Sequence, residues 1–286
     1  MTKGYLTLVL HAHLPYVRHP EFEEFMEERW LFEAMTETYI PLLRGFEALE
    51  TDGVPFHLTM SLTPPLMEML EAKDLQEKYI RHLEKLIELA QKEVEQTRAE
   101  HPTKHKMAQY YLKDFQEKLT YFRDRVGCRL LESFKRFQDN GSLEIITCNA
   151  THGFLPLMSR YPQAVKAQIS QGVKTYEKYL GRKPSGIWLA ECGYVKGIEK
   201  PLADEGLSYF FVDSHGLWYA ENPPRYGVYR PVLTESGVFV FGRDPESSEQ
   251  VWSGEIGYPG DFRYREFYRD VGYDRELEYI ASYIDR

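Results

Sequence analysis

Six stretches of the chain are apolar nearly throughout, and five of them lead into a charged residue or an imidazole. Tyr5 to Leu10 leads into His11-Ala12-His13, and Pro55 to Ser61 contains His57 and stops at Pro64-Pro65. Leu143 to Ala150 leads into Thr151-His152-Gly153, and the fourth stretch runs through Ile187-Trp188-Leu189-Ala190 to Glu191-Cys192-Gly193-Tyr194. Leu207 to Val212 meets Asp213-Ser214-His215, and Val238 to Phe241 meets Arg243-Asp244. Runs with little polar alternation suit strands covered on both faces, the pattern of a parallel sheet flanked by helices. Chemistry in such α/β folds gathers at the carboxyl ends of the strands, so a ring of His, Glu, Asp and Arg there reads as an active site.

Between the strands the period changes from run to helix. Trp30 to Glu50 carries apolar residues at helical spacing, as does Pro162 to Leu180, which Gly181 is placed to stop. Residues 66–139 are charged, amphipathic and far longer than a strand crossover needs, which predicts a helical insertion after the second strand. Its Lys and Glu runs read as solvated faces, and His82, His101 and His105 as exterior residues. Tyr219 to Arg230, rich in Pro, Gly, Asn and Tyr, reads as an irregular loop.

Length and charge narrow the function. A chain of 286 residues can bury a large core, and its net charge of −9 works against binding nucleic acid or an anionic membrane. No run is long enough to span a bilayer or to serve as a signal segment, and the three scattered cysteines, Cys128, Cys148 and Cys192, fit reduced thiols. A cytoplasmic protein is expected.

The candidate chemistry centres on Glu191. Trp188 and Tyr194 flank it, and aromatic faces stack on the apolar faces of pyranose rings while a carboxylate among them can attack an anomeric carbon. Trp30, Trp218 and Trp252 are further stacking candidates. His11 and His13, two apart on a strand, point to the same side and predict a histidine-lined pocket. His-x-His can also chelate zinc, with His152 or Asp213 as a third ligand. The aromatic setting of Glu191 favours the sugar reading.

Three of these segments together resemble a known family. His11-Ala12-His13-Leu14-Pro15, Cys148-Asn149-Ala150-Thr151-His152-Gly153-Phe154 and Trp188-Leu189-Ala190-Glu191-Cys192 resemble the first three conserved regions of glycoside hydrolase family 57. Arg29-Trp30-Leu31-Phe32-Glu33-Ala34, Phe210 to His215, Phe241-Gly242-Arg243-Asp244, Ser248 to Ser253 and Gly257 to Asp261 look most like its α-1,4-glucan branching enzymes.

What the resemblance implies is an α/β fold of (β/α)7-barrel type and a retaining mechanism with Glu191 as nucleophile. His11, His13 and His152 match residues that hydrogen-bond sugar hydroxyls, and Trp30, Trp188, Asp213, Arg243 and Trp252 are expected to bind substrate near them. No metal or organic cofactor is implied, and the expected partner is an α-1,4-glucan such as amylose or glycogen. The family's acid/base Asp lies in a fourth region, past the end of this sequence at Arg286. Six strands are legible where seven are expected, and Asp274 to Arg286 reads as a helix leading to the seventh. The expectation is therefore a catalytic barrel over residues 1–286 that is incomplete at its C-terminus, with the missing portion as a further partner. The other readings are a family-57 α-amylase or 4-α-glucanotransferase, a non-catalytic glucan-binding fragment, and a zinc-dependent deacetylase-like barrel.

Overall fold

The computed structural model describes residues 4–99, 101–263 and 271–284. Its strands are β1 (Val9–Ala12), β2 (Leu58–Leu62), β3 (Leu143–Cys148), β4 (Gly186–Trp188), β5 (Tyr209–Val212), β6 (Val232–Leu233) and β7 (Phe239–Gly242). They form one sheet in the order β1-β2-β3-β4-β5-β7-β6. Every pairing with a recorded register is parallel except that of β6 with β7, so the fold is α/β with a mostly parallel sheet. All six apolar runs contain a strand, but the first is shifted. Tyr5 and Leu6 are 94% and 85% exposed, and β1 begins at Val9 and includes His11. A strand that the six runs did not include is the two-residue β6, which pairs antiparallel with β7 and lies inside a stretch with no apolar run to announce it.

The chain divides into two compact units. One takes in Met1–His13, Leu58–Leu66 and Glu144–Arg269. Its core packs Val165, Ile169 and Val173 of the helix Pro162–Leu180 with Ile187, Leu189, Phe210, Val212 and Val240. The helix ends where expected: Gly181 adopts φ 75°, which glycine accepts without steric cost, and its N–H donates to the Glu177 carbonyl. Gly172 lets that helix close onto β3, since a Cβ there would lie 2.2 Å from the Cys148 carbonyl oxygen.

The other unit comprises Leu14–His57, Met67–Leu143 and Asp270–Arg286. Helices Glu28–Ala34 and Ile40–Thr51 run on through a π turn at Met35–Tyr39, matching the helix read at Trp30 to Glu50. Lys73–Thr97 and Pro102–Leu119 pack together, and Leu130–Asp139 follows. Not all of its charges are solvated: Lys78, 7% exposed at its side chain, donates to both Glu28 carboxylate oxygens at 2.7 and 2.8 Å. His82 departs from its expected exterior place, tilting against Phe32 at 5.3 Å with its pKa lowered to about 4 by burial. His101 is exposed and caps its helix, its Nδ1 accepting from the Thr103 N–H at 3.2 Å. In place of one helix from Asp274 onward, the described residues show a short helix that ends at Asp274, Val271–Asp274, and one short helix beyond it, Leu277–Ile280.

Candidate active site

The site is built from strand ends within the first unit. His11 lies opposite Ser61 in the β1–β2 register, and its Nδ1 is 2.6 Å from Ser61 Oγ. Two residues on, on the same side, His13 Nδ1 is 3.3 Å from Thr63 Oγ1. Ser61 and Thr63 are fully buried, so the second strand fixes the imidazoles of the first. The loop after β3 supplies His152, held at φ 54°, with Asn149 donating to the Gly153 carbonyl at 2.7 Å.

Four rings then stack. Trp188, at the end of β4, lies 4.5 Å from His11 with 19° between planes, and His13 lies 3.6 Å from His152 with 18°. His11 and His152 are 5.3 Å apart at 26°. Imidazole lone pairs lie in the ring planes, so stacked rings direct them along parallel planes and do not converge them on a point. Among the described residues no group of three or more His, Cys, Asp or Glu is placed to hold a metal ion.

The stack is electrically neutral at pH 7. Burial lowers His11 to about 3, with His152, His13 and Arg243 adding repulsion. Burial and His152 lower His13 to about 4. Burial also lowers His152, although the Glu191 carboxylate acts the other way. With Nδ1 engaged by Ser61, Thr63 or Cys148, each neutral imidazole has Nε2 left to meet a sugar hydroxyl, as donor or acceptor according to its tautomer.

Glu191 stands at the edge of this wall. It and Cys192 are both left-handed, at φ 53° and 54°, in a tight turn closed by the Cys192 N–H to Leu189 and the Gly193 N–H to Ala190 carbonyls at 2.9 and 3.0 Å. Gly193 permits the turn, because a Cβ there would lie 2.3 Å from the Phe154 ring. The Glu191 side chain is 78% exposed while that of His152 is 7% exposed, and Oε1 lies 3.6 Å from His152 Nε2. That separation is too long for a hydrogen bond, and Nε2 is buried without a partner. The turn thus sets an open carboxylate beside a buried, unsatisfied nitrogen.

The structure brings together His11, His13, His152, Trp188 and Glu191, with the Arg243 guanidinium 5.9 Å from the Trp188 ring. Asp213 is close enough to act on Cys192, whose thiol burial pushes up to about 11 against the opposing Arg243. Trp188 differs from the open stacking surface expected of it: it is 9% exposed, packs with Ile146, Cys148, Cys192 and Phe211, and has His11 on its ring. It forms the floor of the site. Trp252 is 63% exposed at the end of the helix Pro245–Trp252, and Trp30, 46% exposed, belongs to the second unit. The two carboxylates at neighbouring strand ends are helix caps. Asp213 accepts from the Ser214 N–H at 3.1 Å and Asp244 from the Ser247 N–H at 3.4 Å. Sequence reasoning missed Ser61, Thr63 and the Cys148 thiol. The alternate spacing of Ser61 and Thr63, matching that of His11 and His13, was the available signal.

A solvent-facing carboxylate thus stands against stacked, buried histidines at the strand ends of a mostly parallel sheet. The chain belongs to glycosyl hydrolase family 57, whose model matches residues 7–285. It is 40% identical to the 1,4-alpha-glucan branching enzyme TK1436 of Thermococcus kodakarensis over 93% of this chain and 42% of that protein. Among solved structures, the alpha-amylase AmyC of Thermotoga maritima superposes with a TM-score of 0.94 at 63% identity, over 99% of this chain and 54% of that one. The branching enzyme of Pyrococcus horikoshii gives 0.84 at 39% identity, over 94% and 52%. The α/β fold of (β/α)7-barrel type expected from the motifs is thus the fold of its relatives. The chain spans about half the length of the curated relatives it matches.

Proposed function

We propose that this chain is the donor-handling part of a retaining α-1,4-glucan branching enzyme in which Glu191 is the nucleophile. The observation that carries the reading is the left-handed turn that holds an exposed Glu191 carboxylate 3.6 Å from the buried His152 nitrogen. Glu191 attacks the anomeric carbon of a bound α-1,4-glucan, the glycosidic C–O bond breaks, the reducing-side fragment leaves with its 4-oxygen protonated by the general acid, and a glycosyl ester remains on Glu191. A 6-hydroxyl of a second chain then displaces it with net retention. His11, His13 and His152, being neutral, bind sugar hydroxyls without opposing the positive charge that builds on the oxocarbenium-like transition state. Retention requires a second carboxyl as acid and base. Asp213 and Asp244 serve as caps, and the resemblance assigns this role to an Asp of the family's fourth region. Identity of 63% to a protein named an alpha-amylase supports a second reading, in which water replaces the 6-hydroxyl.

One experiment separates the two. Amylose treated with the complete protein should gain α-1,6 linkages, visible by proton NMR, with few new reducing ends. Abundant reducing ends without α-1,6 signals would establish the amylase instead. In either case Glu191→Gln should lower turnover at least roughly a thousandfold while glucan binding survives. A variant keeping a tenth of wild-type turnover removes Glu191 from the role.

A further inference from the structure

The Cys148 thiol lies fully buried between two partners. Its Sγ is 2.7 Å from the Trp188 carbonyl oxygen and 3.3 Å from His152 Nδ1. The S–H proton goes to the Trp188 carbonyl oxygen, which can only accept and makes by far the shorter of the two contacts. The sulfur then meets His152 only as an acceptor, which places the imidazole proton on Nδ1. Burial pushes the thiol well above its usual range, so the S–H is present throughout the neutral pH span.

The consequence falls on the other ring nitrogen. Nε2 is left as a bare lone pair, buried, without a partner, and 3.6 Å from Glu191 Oε1. A carboxylate so close would, by itself, draw the proton to Nε2 and take a hydrogen bond from it. Such a bond stabilises the carboxylate and blunts it as a nucleophile. The thiol acts against that outcome.

We propose that Cys148 is a positioning residue that fixes His152 as the Nδ1–H tautomer, leaving Glu191 free of a hydrogen bond from the imidazole and turning Nε2 toward a substrate hydroxyl as an acceptor. The kinetic part of this rests on Glu191 being the nucleophile. The tautomer itself does not.

The test uses the complete protein. Ring-nitrogen NMR of His152 in the unliganded wild type should show a pyrrole-type shift at Nδ1 and a pyridine-type shift at Nε2. The reverse assignment overturns the proposal without any variant. Cys148→Ala should move His152 toward the Nε2–H form and lower kcat about tenfold, the loss of roughly one hydrogen bond's discrimination. Cys148→Ser, which keeps a donor for Trp188 and an acceptor for Nδ1, should restore both. A folded Cys148→Ala protein with unchanged ring shifts and unchanged kcat sinks the proposal. If the alanine variant does not fold, the wild-type and serine spectra decide. Full turnover in Glu191→Gln would defeat the nucleophile assignment while leaving the measured tautomer standing.

Discussion

Glu191 and Cys192 adopt the left-handed conformation one after the other, in a region that costs an ordinary side chain roughly 1–2 kcal/mol per residue. Nothing in the side chain of Glu191 repays this locally, since it is 78% exposed and makes no hydrogen bond to His152. The turn keeps a strained carboxylate because of where it points. Glycine would relieve the strain, whereas alanine would keep it. Glu191→Gly should therefore be more stable than Glu191→Ala by about 1 kcal/mol, read from denaturant midpoints. Equal midpoints would mean the turn relaxes on substitution and stores no strain. The Glu-Cys-Gly sequence announces a turn, but left-handed backbone at two non-glycine residues leaves no mark in residue type. The burial of Trp188 was equally hidden: a tryptophan beside a glutamate looks the same whether it floors a site or faces a sugar.

Strand positions were legible to within a few residues wherever an apolar run is also buried, as in β3 and β5. They slipped where apolar residues are exposed, as at Tyr5 and Leu6, because the sequence reports hydrophobicity and not burial. The spacing of His11 and His13 foretold their common side, and the β2 register explains why they hold it. The caps Asp213 and Asp244 were read as possible chemistry, since an aspartate after a strand serves either role. The histidine stack also predicts a pH dependence. An unfolded histidine titrates near 6.5, and in the folded state His11 lies at about 3, His13 at about 4 and His152 below its usual value. The folded protein therefore prefers these groups neutral. Their contribution to stability is complete above pH 6.5 and is lost as pH falls through the folded values. Urea midpoints should drop steadily between pH 7 and 4, and His11→Gln should flatten the slope. An unchanged slope would show that the imidazoles are not buried as described.

For the molecule as a whole, the net charge of −9 works against binding nucleic acid or an anionic membrane. Among the described residues no helix is long and apolar enough to cross a membrane. Motifs carried the family because they sit at strand ends and at close approaches such as Gly153, where a Cβ would lie 2.9 Å from Met158. In the second unit the motif Arg29 to Ala34 stops short of Glu28 and no motif covers the helix Lys73–Thr97, which is why the buried Lys78–Glu28 pair and His82 went unread.

The three free cysteines sort by burial, with Cys128 partly exposed and Cys148 and Cys192 buried. Since only a thiolate reacts, and burial pushes both buried thiols up, Cys148 and Cys192 are chemically silent in the folded protein. Pulsed alkylation of the native protein should modify Cys128 first. Modification of Cys148 should follow only as fast as the strands carrying the histidine stack come apart, so labelling at equal rates would refute the burial. The thiol under the stack is thereby a built-in clock, recording how often the site opens.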